Sequence, residues 1–127
     1  MTEHEEGFEK LCHAEVRSGA IETFPFAAKT STINGWLDEE LKDEHVRKLY
    51  TEQLPQEPLP YQGDMLRARA RAAGVSPCPM AGLIDYLGQL STTANAVEDC
   101  TNACVERHEG VDGVADLKGA CTRGCGG

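Results

Sequence analysis

The sequence predicts an all-α protein, a small bundle of four to five helices closed by a Cys-clamped antiparallel helical hairpin. Three observations carry this. Apolar residues recur at three- and four-residue steps in several segments, alternation of the strand type is poor, and Cys-x-x-x-Cys occurs twice near the C-terminus. At 127 residues the chain fits one domain, with helices and a Pro-rich linker (54–62) over 1–75 and a long helix and hairpin over 76–127.

The first helix is expected over 3–17, where Phe8, Leu11, Cys12 and Glu15 fall near one face and Ser18-Gly19 is the stop. The stretch 21–29 follows, where Pro25 argues against a long regular element and Phe24 and Phe26 read as core plugs. Residues 32–53 carry the next helical pattern through Ile33, Leu37, Leu41, Val46, Leu49 and Tyr50, with a start near Gly35-Trp36. Acidic residues near its start and Arg47 and Lys48 near its end suit the helix dipole. Pro55, Pro58 and Pro60 then impose an extended connector. Asp64 and Gly74 bracket a short helix over 64–73, whose Arg67, Arg69 and Arg71 splay around it and suit internal ion pairing.

Ser76-Pro77-Cys78-Pro79 opens a long pattern over about 79–108, with Met80, Leu83, Ile84, Leu87 and Leu90 as its apolar face. Gly82 and Gly88 permit close approach of a neighbour, and Ser91-Thr92-Thr93 loosens or breaks the helix. A turn at 110–113 and a last helix over 114–123 complete the chain.

The two cysteine pairs, Cys100/Cys104 and Cys121/Cys125, each place two sulfurs on one helix face. Facing residues of an antiparallel hairpin have a constant sum of sequence numbers. The outer pair (100 and 125) and the inner pair (104 and 121) share one sum, and its midpoint falls between Asp112 and Gly113, inside the expected turn. Cysteine spacing and turn chemistry thus agree on one register.

Two chemistries fit that register. Cys100–Cys125 and Cys104–Cys121 disulfides would staple the hairpin. Alternatively, Cys100, Cys104, Cys121 and Cys125 hold zinc or copper, with His108 on the same face able to replace a thiolate. Free or redox-active thiols are the remaining option. Cys12 and Cys78 would form a third bridge or stay free.

The segment resembles the twin Cys-x-x-x-Cys helical hairpins of the α-hairpinin peptides and the small Tim chaperones, over about a fifth of the chain. The resemblance implies outer-to-outer and inner-to-inner pairing and a binding role: target inhibition in one family, holding of hydrophobic client segments in the other. This chain departs from both, with a long stretch ahead of the hairpin and a second helix ending soon after Cys125.

A net charge of -9 disfavours nucleic acid and anionic membrane as partners. No segment has the apolar length of a membrane span. The acidic N-terminus lacks the features of a secretory signal, which favours a cytosolic address, while the six cysteines favour an oxidising compartment. His4, His13, His45 and His108 show no H-E-x-x-H or other metal spacing among themselves, Glu39/Glu40 and Asp43/Glu44 read as a solvated face, and no nucleophile or phosphate-loop motif occurs. The expected function is therefore a non-catalytic helical binding or accessory protein with a protein partner and no cofactor. Such a protein could be a small subunit of a larger complex. The alternative is a metal-handling or thiol-redox protein using the hairpin cysteines. A third reading is a modified-peptide substrate, suggested by the Cys- and Thr-rich tail.

Overall fold

A computed structural model describes residues 4–87, 96–111 and 113–126. The described residues are all-helical, without strands. Eight α-helices occur among them, more than the four to five expected: α1 Glu5–Cys12, α2 Ala14–Arg17, α3 Phe26–Glu40, α4 Glu44–Lys48, α5 Leu59–Ala72, α6 Pro79–Leu87, α7 Ala96–Arg107 and α8 Leu117–Gly124. The difference lies mainly in interruptions. His13, with φ -108° and ψ 17°, splits the first expected helix into α1 and α2. The expected helix over 32–53 breaks at 41–43, because the Asp43 carboxylate caps a new helix by accepting from the Val46 N–H at 3.2 Å. That helix, α4, continues as a π-helical turn over Leu49–Gln53.

Two proline assignments are corrected. Pro25 does not end helical structure; α3 starts directly after it, since the first-turn N–H groups of a helix have no intrahelical acceptor. The expected extended linker over 54–62 is partly helical: Leu54–Gln56 forms a 3-10 turn, and α5 begins at Leu59 with Pro60 inside its first turn. Asp64 is therefore not an N-cap; it pairs with Arg67 at 3.0 Å. Gly74 does end α5. Its φ of 88° lets the Val75 N–H reach the Ala70 carbonyl (2.8 Å) and its own N–H reach Arg71 (3.0 Å). The expectations for Gly88, Leu90 and Ser91-Thr92-Thr93 lie outside the described residues.

Two apolar clusters form the interior. The larger joins α1, α3, α5 and α6, with Leu11, Ile33, Leu66 and Leu83 at 0–1 % exposure. Each such leucine or isoleucine contributes about 1.5–3 kcal/mol of burial. The smaller, around Ile21, Cys104, Ala120 and Cys121, lies under the hairpin. Glycines set the helix spacing where elements meet: a Cβ on Gly63 would fall 2.9 Å from the Ala81 carbonyl oxygen, and one on Gly82 would fall 2.7 Å from Cβ of Arg107. The first contact seats α5 on α6, the second α7 on α6. Phe24, expected in the core, is 60 % exposed, whereas Phe26 packs partly buried against the larger cluster.

Candidate functional site

The hairpin is built from local signals. Asp116 caps α8 by accepting from the Gly119 N–H at 3.1 Å, and Gly110 (φ 79°) and Gly113 (φ 103°) supply left-handed backbone in the connection. Asp112 itself lies outside the described residues. The cysteine pairs form disulfides in the expected register. Cα atoms are 5.8 Å apart in the outer rung, Cys100–Cys125, and 5.7 Å apart in the inner rung, Cys104–Cys121, so the two helices run side by side without diverging. The inner rung is fully buried, at 1 % and 0 %. Cys12 and Cys78 also pair, with Cα atoms 4.5 Å apart, tying α1 to the segment entering α6.

His108 follows α7 on the face of Cys104. Its ring is buried, with Nδ1 2.9 Å from the Cys104 carbonyl oxygen and 3.8 Å from its sulfur. A carbonyl can only accept, so Nδ1 carries the proton. Burial is the largest cause holding the His108 pKa below 6.5, and the ring is neutral, with Nε2 as a lone-pair nitrogen. Nε2 lies 3.3 Å from Oε1 of Glu15, out of line for a hydrogen bond, and has no hydrogen-bond partner.

Glu15 is the hub of a buried charge cluster. The Arg107 guanidinium donates to both its oxygens, Nε to Oε1 at 2.9 Å and Nη2 to Oε2 at 2.6 Å, and Lys29 Nζ donates to Oε2 at 2.9 Å. Lys29 also donates to the Ala20 and Ile21 carbonyls at 2.7 and 3.3 Å. Burial acts to raise the Glu15 pKa, but Arg107 and then Lys29 outweigh it and hold it at about 2, with a smaller contribution from His108 once that ring is protonated at low pH. One carboxylate thus joins α2, α3 and the end of α7, fastening the hairpin to the N-terminal helices.

Of the expected metal set, Cys104, Cys121 and His108 come together, with one donor atom of each lying within 4.8 Å of the others. Cys100 and Cys125 lie outside that group. All four hairpin sulfurs are bonded in pairs in this form. Asp43 departs from a solvated face, accepting from His4 Nδ1 at 2.8 Å as well as capping α4. Sequence reasoning missed Lys29 and Arg107. Glu15 had left a signal, a carboxylate on the apolar side of the first helix.

Of the hollows on the surface, one of about 190 Å³ is lined mainly by apolar side chains, Ile33 of α3, Leu54, Pro55, and Met80, Leu83 and Ile84 of α6, together with Thr30, Tyr50 and Gln62. A second, of about 330 Å³, shares Tyr50 and Pro55 with it and adds Asp38 and Arg47. No described helix is long and apolar enough to cross a membrane.

No protein family matches this chain, and neither does a curated protein or a solved structure.

Proposed function

We propose that this chain is a non-catalytic helical binding or accessory protein, which engages an apolar anchor of a protein partner and uses the stapled hairpin as its rigid element. The observation that supports this is the apolar cleft. Its floor is the apolar side of α6, and α7 packs behind α6 at Gly82, so the disulfide-fixed hairpin braces the cleft wall. At about 190 Å³ it is smaller than the roughly 300–1,000 Å³ typical of small-molecule sites, and suits one or two side chains of a peptide. The likeness to twin Cys-x-x-x-Cys hairpins, where the hairpin serves binding, points the same way.

The test is selection of peptides on the oxidised protein, followed by affinity measurement against two variants. Thr30→Trp places a large side chain in the lining of the cleft; Lys118→Trp alters exposed α8. Apolar peptides that bind Thr30→Trp at least about tenfold more weakly, equivalent to about 1.4 kcal/mol, and Lys118→Trp normally would support the reading. Ligands indifferent to Thr30→Trp would refute it.

A second reading, metal handling or thiol chemistry at the hairpin, is favoured by the convergence of Cys104, Cys121 and His108.

A further inference from the structure

We infer that the inner rung is a redox-gated zinc site: reduction of Cys104–Cys121 creates a Cys2His centre with His108, held by Glu15 and closed while the disulfide is intact. The inference rests on the second reading above and narrows it to three ligands.

Geometry carries it. In a tetrahedral zinc site with Zn–S of about 2.3 Å and Zn–N of about 2.0–2.1 Å, a ligating sulfur and nitrogen lie about 3.6 Å apart. Cys104 Sγ and His108 Nδ1 are already 3.8 Å apart, with Cys121 Sγ in the same group. The two sulfurs need only separate from bonding distance.

The unpartnered nitrogen is the second, independent observation. With the disulfide closed, Nδ1–H is spent on the Cys104 carbonyl and Nε2 is buried and unsatisfied. If Nδ1 ligates a metal, the proton resides on Nε2, 3.3 Å from Glu15 Oε1, and a turn of the ring would bring the two into line. That is the carboxylate–histidine–zinc arrangement, in which the outer carboxylate fixes tautomer and ring orientation. A turn of the metalated ring would give Nε2 the partner that it lacks in the oxidised form. Charge agrees as well, since two thiolates neutralise Zn(II) and add no net charge beside Arg107 and Lys29.

The step balances with a dithiol as reductant. Two electrons pass from the dithiol to the Cys104–Cys121 bond, which breaks, and the dithiol becomes a disulfide while its two protons end on the cysteine sulfurs. Zn(II) then displaces those two protons as both thiolates ligate, and the His108 proton moves from Nδ1 to Nε2. Three protein ligands leave a fourth position for water.

Cobalt(II), which reports tetrahedral thiolate ligation in its visible spectrum, and zinc are titrated into the full chain, oxidised and after dithiol reduction, with helicity followed by circular dichroism. One equivalent bound by the reduced chain alone is expected, with two sulfurs and one nitrogen by X-ray absorption. The Cys100→Ser/Cys125→Ser variant should bind like the parent after reduction. Glu15→Gln should bind about 10–100-fold more weakly, and His108→Ala more weakly still. Equal uptake by oxidised protein overturns the inference. So does binding that survives His108→Ala but is lost in Cys100→Ser/Cys125→Ser, which assigns a four-thiolate site and leaves the second reading standing. No uptake by the reduced chain, folded or not, removes both.

Discussion

Glu15 accepts from two cations and faces a third basic group inside a site that excludes water, so its ionisation is bound to the folded state. Its folded pKa of about 2 lies below the ordinary 4.5. The stabilisation is therefore complete above pH 4.5 and lost as pH falls through 2; at 1.36 kcal/mol per unit it amounts to about 3 kcal/mol. His108 adds to this in the same direction. Its pKa is lowered by burial, so the unfolded chain takes up a proton first as pH drops below 6.5, and stability falls. Denaturant titrations should thus show stability declining from about pH 6.5 and more steeply below 4.5. Glu15→Gln, which leaves Lys29 and Arg107 buried without a counter-charge, should cost about 3–5 kcal/mol near neutral pH and flatten the acid limb. At this scale the sequence exposed half of the site. Glu15 stood out on an apolar face and His108 on the cysteine face, but Lys29 and Arg107 reach Glu15 from positions 14 and 92 residues away, a separation that no local pattern encodes.

Helix boundaries were legible where a capping residue acts alone. Gly74 and Asp116 behave as their local chemistry dictates, one by left-handed backbone and the other by a side-chain acceptor. Periodicity misled where it ran through a break: Leu41 and Val46 stand five residues apart, a step too long for one helix face, yet both sides face the same core, and Asp43 marks the restart. Asp43→Ala should lower stability by about 1 kcal/mol through the lost cap, with a further loss from its bond to His4, measured by thermal unfolding. Gly63→Ala should cost more than the helix propensity gain of roughly 1 kcal/mol would return, since the added methyl meets Ala81 and Asp85 and must push α5 off α6. A Gly63→Ala variant as stable as the parent would mean that this contact is looser than described.

For the whole molecule, the fold class and hairpin register were readable because a hairpin's pairing is an arithmetic property of its sequence, whereas the packing of α1–α6 around them rests on contacts distant in the chain. The Cys12–Cys78 bridge closes a span of 66 residues and the inner rung one of 17. On the chain-entropy account these are worth about 4 and about 3 kcal/mol. Cys12→Ala/Cys78→Ala should accordingly lower the melting temperature more than Cys104→Ala/Cys121→Ala, and the reverse order would place the greater weight on the hairpin. The three bridges also have a layout of their own. The 12–78 span ends before residue 100 begins the nested pair, so no covalent crosslink joins one ring to the other. A single backbone cut introduced between Leu87 and Ala96 would convert the protein into two separately cyclised pieces, with no bond between them. Their cohesion would then be a true bimolecular equilibrium, carried by the α6–α7 contact, by Ile21 packed under the hairpin, and by Glu15 reaching across to Arg107. The nicked pair should stay together near neutral pH, come apart on acidification, and reassemble on neutralisation without any reshuffling of its cysteines.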